Sequence, residues 1–367
     1  MNKKKIIKTL ITIIADLVLA GLLLCVFALF HHVIPQKRST DNAISIPKPT
    51  SSATSFQLPE ATATDQLSVP ERTPAPQKTS VPQKTREPQK TREPEETFAP
   101  TETYAPSTSV APTVTEAPTA KPNNTIQTEN SYRSNNVVVN MDTVQVSSGR
   151  SIITYHIADI YVTNVECFRT AFAENIYGDN FSQDVLEQDI ENDAIVAISG
   201  DSYGISDSGI VLRNGILYRY GNTSADICVL YYDGTMKTLS PGEYTKESLI
   251  ADGAYQVWNF GPGLLDENGK ALTKFNAEKY IRQNHPRAAI GYYEPGHYVF
   301  VLVDGRQNGY SDGMDIYELA DLFEELGCKA AYNLDGGISA VMTFNDSIYS
   351  HPDRTREVTD ILYIGEP

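Results

Sequence analysis

From Pro35 to Asn130 this chain is built of Pro, Thr, Ser, Ala, Lys and Glu. Within that stretch Pro76-Gln-Lys-Thr, Pro82-Gln-Lys-Thr and Pro88-Gln-Lys-Thr recur every six residues. Apolar side chains are too sparse there to offset the entropy of ordering a chain. Proline keeps such a segment extended, at ~3.1 Å per residue where it is polyproline-like. The sequence therefore predicts a disordered stalk over 35–130, and any core must come from one of its flanks.

The upstream flank reads as a membrane anchor. Lys3, Lys4, Lys5 and Lys8 form a basic tail over 1–8, and an apolar run follows over 9–34. A bilayer span needs roughly 20 residues, and basic clusters stay on the cytoplasmic side. No small-x-small cleavage site follows, which predicts an uncleaved signal-anchor. The expected placement is single-pass in the plasma membrane, with the C-terminal body extracellular. Asp16 interrupts the run in its inner half, where snorkelling relieves its charge.

The downstream flank, 131–367, is long enough for one sizeable core. It is also where the acid lies: from Glu129 onward there are 35 Asp and Glu against 16 Lys and Arg. Nucleic-acid binding needs a basic face, so nucleic acid is excluded as a partner. Cys25, Cys167, Cys228 and Cys328 show no CxxC spacing, which argues against zinc. One disulfide among the last three stays open.

Strand signals dominate this part. Val-, Ile- and Tyr-rich runs at 136–140, 151–163, 194–199, 227–232, 341–344 and 358–364 predict strands. Asn214-Gly215 predicts a hairpin over 210–220, and Glu294-Pro-Gly296 another over 287–303. Residues 181–192 form a short helix candidate. Ile316, Leu319, Leu322, Phe323 and Leu326 recur at helical spacing, and Gly327 ends that helix. The expected class is α+β: a single globular domain with a mixed β-sheet and a few packed helices.

Chemistry concentrates where polar residues directly follow buried-looking strands. Asp201 follows Gly200. Asp304-Gly-Arg306 ends the second strand of the hairpin that Arg287 opens. Asn333-Leu-Asp335-Gly-Gly-Ile-Ser339 ends the next strand. Carboxylates in pairs suit glycosidic hydrolysis. Arginine forks suit phosphate, and glycine-flanked turns expose backbone N–H groups to an anion. Together they suggest a substrate with a sugar and an anionic group. Taken singly, Asp-Gly pairs are ordinary turns, and His285 and His156 suit loop and core. Trp258 suits a sugar platform or a core equally. Glu318, at the start of the 314–326 helix, is the acid there whose role stays open.

His285-Pro-Arg-Ala-Ala-Ile-Gly291, Val303-Asp-Gly-Arg306, Gly313-Met314, Glu318-Leu-Ala320 and Asn333-Leu-Asp-Gly-Gly337 resemble the phosphodiester glycosidase family. Arg213-Asn-Gly215, Phe260-Gly-Pro262 and Arg356-Glu-Val-Thr-Asp360 match as well. That family includes the enzyme that removes N-acetylglucosamine from a phosphodiester to uncover mannose 6-phosphate, and bacterial exopolysaccharide-associated members. The resemblance covers about 190–365. It implies hydrolysis of a sugar-1-phosphodiester; joined to the anchor, the expectation is an extracytoplasmic hydrolase acting on an envelope glycan or exopolysaccharide. Asp335 would be acid/base or nucleophile, with Asp304 or Asp201 as second carboxylate. Arg287 and Arg306 would hold phosphate, and Asn333, Gly336, Gly337, Ser339 and Glu318 would bind substrate. No cofactor is implied with certainty; calcium stays open, although no loop has EF-hand spacing.

The chain departs from the family pattern at Ile338, Ala340, Ser199, Ser202 and Ala288. These changes imply a shifted substrate, or a glycan-binding protein without catalysis. A third reading is a scaffold that recruits partners through its stalk and helix.

Overall fold

The longest strand-like runs make the longest strands. Val137–Ser148 and Ser151–Val162 form one hairpin, paired from Val137 opposite Val162 to Ser148 opposite Ser151. The structure is a computed structural model that describes residues 3–49, 55–60, 125–149, 151–205 and 207–367. In it this hairpin is the middle of a seven-stranded sheet. His297–Val303, Arg287–Glu294 and Ala330–Asn333 follow on one side, Ser131–Arg133 and Ile126–Gln127 on the other.

Side chains of a strand alternate between faces, and this sheet uses both. Tyr298, Phe300 and Leu302 point into the main core, while Val299, Val301 and Val303 point to the opposite face. That second face is covered by Leu319, Leu322 and Phe323 of the helix Ile316–Glu325, as the helical spacing predicted. Asp315 caps this helix, accepting from the N–H groups of Tyr317 and Glu318.

Two further sheets complete the body. A six-stranded sheet runs Met236–Leu239, Ile227–Tyr231, Ala254–Trp258, Ile210–Arg213, Ile216–Tyr220 and Ile44–Ser45. A five-stranded sheet runs Ser347–Ile348, Met342–Phe344, Val196–Ser199, Asp360–Ile364 and Phe168–Phe172. The single mixed sheet expected from the sequence is thus divided among these three and a two-stranded sheet, Gln36–Lys37 with Gly178–Asp179. Every strand pair among the described residues is antiparallel. The short helix Val185–Glu191 sets Val185 against Ala197, Val341 and Ile361 of the five-stranded sheet.

Four expectations are refined. Trp258 is fully buried and its indole donates to Thr170 at 3.3 Å, so it is core and not a platform. The cysteines are all free: Cys167 and Cys228 lie in the main core and Cys328 under the helix, with burial pushing the thiols of Cys167 and Cys328 up to about 12. The stalk does not begin at residue 35. Gln36–Lys37 pairs with Gly178–Asp179, Ile44–Ser45 pairs with Ile216 and Leu217, and Ile46 and Phe56 are buried in the main core. The rest of the expected stalk, 61–124, lies outside the described residues. The N-terminal segment forms a helix, Lys3–His32. Among the described residues no helix is long and apolar enough to cross a membrane; the described side chains of this one run only from Ile13 to Leu29.

Candidate active site

Strand ends from two sheets meet at one place. In the seven-stranded sheet, Ala289 opposes Asn333, so Arg287 and the Asp335-Gly-Gly turn share one end. The amide of Gly337 donates to Pro286 O at 2.9 Å. Gly336 is needed there, because a Cβ would lie 2.6 Å from that carbonyl oxygen. From the five-stranded sheet, Val196–Ser199 delivers Gly200 and Asp201. The two turns are stitched together: the Asp335 amide donates to Gly200 O at 3.1 Å, and Ser199 Oγ donates to Asp335 O at 3.0 Å.

The three predicted acids have different surroundings. Asp201 is buried with both oxygens engaged: Oδ1 accepts from Arg213 at 2.6 Å, and Oδ2 accepts from the Asn259 amide at 2.7 Å. Arg213 also reaches Asp360 at 3.1 Å. Burial first, then the Asp201 charge, pushes the Asp360 carboxyl up to about 7. Asp304 is likewise committed. Its Oδ2 meets His156 Nε2 at 2.8 Å and Tyr310 Oη at 3.0 Å, while the His351 amide donates to Oδ1 at 3.1 Å. These bonds tie the sheet to the 304–311 and 351 loops, which is an architectural arrangement.

Asp335 differs. Its Oδ2 accepts from Ser202, from Ser339 at 2.8 Å and from Arg356 Nη2 at 2.8 Å. Its Oδ1 has no hydrogen-bond partner among the described residues, and it is not a sealed-off buried atom. Arg356 Nε also donates to Ser339 Oγ at 2.6 Å, so serine, arginine and carboxylate hold one another in place.

The other predicted residues divide between shaping and facing the site. Arg287 spends Nε on Met314 O at 3.0 Å and Nη2 on Ile281 O at 2.6 Å, and it also donates to Gln283 O. It therefore braces the 281–283 loop. Burial, with the nearby Arg306 cation as a lesser cause, lowers its guanidinium to about 10. Asn333 donates to Gly261 O at 2.8 Å, at the turn that carries the cis Gly261-Pro262 bond. Glu318 completes the capping box with the Asp315 amide at 2.9 Å, and burial raises its pKa. Arg306 is exposed, meets His285 Nδ1 at 3.1 Å, and lies over Gly337, where a Cβ would sit 3.2 Å from its Nη2.

A cavity of about 340 Å³ opens on the Asp201 side. Asp201, Ser202, Asn222, Thr223, Arg219 and Asn259 are among its lining residues, a polar set that suits a sugar's hydroxyls. Ser202 both lines the cavity and touches Asp335. The sequence marked Ser202 only as a departure from the family pattern and did not single out Arg213, Asn259 or Arg356 as site residues, although Arg213 and Arg356 sit in family-like motifs. Their signal is spatial, since Ser202 and Asp335 are 133 residues apart. Among the described residues no three His, Cys, Asp or Glu side chains gather as a metal site.

Residues 192–365 match the phosphodiester glycosidase family model. That match spans a little under half of the chain, and it marks residues 192–365 as similar to the phosphodiester glycosidase family. Members of this family act as hydrolases on phosphodiester-linked sugars. A curated relative, the SPbeta prophage-derived uncharacterized protein YomE of Bacillus subtilis (strain 168), is 31% identical over 199 residues. That match covers 52% of this chain and only 31% of YomE, so the chain spans about a third of its relative's length. The zebrafish N-acetylglucosamine-1-phosphodiester alpha-N-acetylglucosaminidase catalytic domain, auto-inhibited by its pro-peptide, superposes with a TM-score of 0.53 at 19% identity. It covers 64% of this chain and 85% of that one, a likeness of fold. Ser199 and Ser202, two departures from the family pattern, both bond Asp335, the first at its carbonyl and the second at its carboxylate.

Proposed function

We propose that this domain hydrolyses a sugar-1-phosphodiester and releases the sugar. The observation that carries the reading is the state of Asp335. Of the three acids it alone keeps a carboxylate oxygen without a partner among the described residues, and a sugar-sized polar cavity adjoins it through Ser202. The glycosyl unit occupies the cavity, its hydroxyls toward Asn222, Thr223 and Asn259. The phosphate lies on the opposite side of Asp335, toward the guanidiniums of Arg356 and Arg306.

Glycosidases commonly need a second carboxyl to protonate the leaving oxygen. Phosphate already leaves well, so anion clamping takes the place of that acid. Asp335 either attacks the anomeric carbon or takes a proton from an attacking water. In both cases the bond from the anomeric carbon to the phosphate oxygen breaks, its electron pair stays on the phosphate, and water supplies the new hydroxyl. Asp201 and Arg287 act by positioning the Asn259 amide and the 281–283 loop.

We further infer an extracytoplasmic domain on a membrane anchor, acting on a phosphate-linked envelope glycan or exopolysaccharide. Supporting this, Leu17, Val18, Leu19, Leu22, Leu23 and Leu24 are exposed on every side of the N-terminal helix. A helix that is apolar all round needs a bilayer or a core to cover it.

The test is sugar release from a panel of sugar-1-phosphodiesters by the full chain, with and without calcium, beside Asp335→Asn. Turnover should fall by roughly 10²–10⁴-fold in the variant while its thermal unfolding is retained. Polymer binding without turnover on any substrate would favour a glycan-binding protein instead.

A further inference from the structure

Residues 36–60 have the composition of a stalk and the contacts of a domain element. Ile44–Ser45 adds the last strand to the six-stranded sheet, covering the edge that Ile216 and Leu217 would otherwise present. The Ile46 amide donates to Gly215 O at 2.7 Å, and the Phe56 amide donates to Thr163 O at 2.9 Å. Two turn glycines make a socket for the Phe56 ring. A Cβ at Gly234 would lie 2.5 Å from it, and one at Gly296 would lie 2.4 Å from the Phe56 Cβ. No side chain other than hydrogen fits either turn while Phe56 is seated.

Both ends of the following tract are fixed at one residue. Arg133 Nη1 donates to Pro59 O at 3.1 Å, and Arg133 pairs with Ile126 in the seven-stranded sheet. Pro59 and Ile126 therefore meet at Arg133.

The beginning of this segment also reaches the cavity wall. Arg38 Nε donates to Asp179 at 2.7 Å, and its Nη2 pairs with Asp207. The Arg38 guanidinium lies 6.0 Å from the Tyr177 ring, which stacks on Tyr203 at 5.7 Å. Tyr203 and Ser208 line the cavity.

We propose that residues 36–49 and 55–60 are a strap seated on the domain, and that Arg38 is a positioning residue for the cavity wall. The cavity is the one read above as the sugar subsite; the docking itself does not depend on that reading.

A tethered segment rebinds at an effective concentration in the mM range, so a weak strap stays seated only while covalently attached. Cutting the tract makes the test stringent. A protease recognition sequence is inserted between residues 90 and 91 of the full chain, which is purified in detergent and cut to completion. Gel filtration at about 1 µM should return both fragments in one peak. The C-terminal fragment carries none of the apolar run, so a shared micelle does not explain co-elution. The pair Ile46→Ala with Phe56→Ala should release the strap; separation of the unmutated fragments, with the Ile46 and Phe56 amides exchanging freely in the uncut chain, overturns the docking.

Hydrogen exchange of the 203–209 amides in the uncut chain reads Arg38 directly. Arg38→Ala should raise exchange about tenfold there and leave the strands Ile227–Tyr231 and His297–Val303 protected, and Arg38→Lys should restore part of the protection. Unchanged exchange removes Arg38 from this role. These readouts stand whether or not the protein hydrolyses sugar phosphodiesters, so failure of the strap and failure of the proposed activity are separable. Where turnover is measurable, Arg38→Ala should raise KM more than it lowers kcat; a gain in kcat/KM would mean that the strap obstructs the cavity.

Discussion

Three aspartates at strand ends look alike in sequence and differ in what their oxygens do. Asp304 is 1% exposed and holds three hydrogen-bonding groups, among them a histidine 148 residues away. Removing one partner of such a buried set leaves the others unsatisfied, at a cost of about 1–3 kcal/mol per group. Asp304→Ala should therefore lower the melting temperature by several degrees and leave kcat per folded molecule within about twofold of the parent. Asp335→Asn has the reverse signature, lost turnover with retained melting. Calorimetry and steady-state kinetics on both variants separate the roles; an Asp304→Ala protein that folds normally but has lost turnover would return Asp304 to the chemistry. The sequence marked both residues and favoured Asp335; it could not show how their surroundings differ, because Ser202, Arg356, His156 and His351 are all brought in from elsewhere in the chain.

At the scale of elements, whatever is set by neighbours in the chain was legible. The Asn214-Gly215 turn gave its hairpin, with Asn214 and Gly215 both at positive φ. Helical spacing ended by Gly327 gave the Ile316–Glu325 helix. Phe168–Phe172, an edge strand, and Ala254–Trp258, a central one, were not legible, since both are buried almost throughout and show no alternation to read. The strap was hidden for a different reason. Ile46 and Phe56 are isolated apolar residues among prolines and serines, and the groove that receives them is built by strands far downstream. The Asp335-Gly-Gly turn is legible and testable. Gly337 has φ +64°, and a side chain there would meet Arg306. Gly337→Ala should raise KM for a sugar phosphodiester several-fold, because strain at positive φ and the displaced guanidinium both act on the anion side. A glycan lacking phosphate should bind the variant and the parent equally; equal losses for both ligands would place the damage in the fold instead.

For the whole molecule, two buried carboxyls outside the reacting position set how stability depends on pH. Asp189 accepts from Thr343 at 2.7 Å through one oxygen, while the other is buried without a partner among the described residues. Burial pushes its carboxyl from 3.8 up to about 7, and Asp360 is raised to about 7 by burial and by Asp201. A carboxyl raised by folding holds its proton in the native state after the unfolded chain has lost it. Between pH 4 and pH 7 the native state thus binds more protons, and stability falls as pH rises through that window. Below it both states are protonated and the contribution is complete; above it both are ionised and the contribution is gone. Asp266 and Glu324, both lowered chiefly by backbone N–H donors, act in the opposite direction, at acid pH. Melting temperatures measured from pH 4 to pH 8 should therefore decline toward neutrality. Asp189→Asn stays neutral at every pH and keeps an acceptor for Thr343, so it should flatten the decline and be the more stable protein at pH 8. A parallel curve for Asp189→Asn would mean that Asp189 is ionised in the native protein throughout the range, with water or a cation reaching its second oxygen.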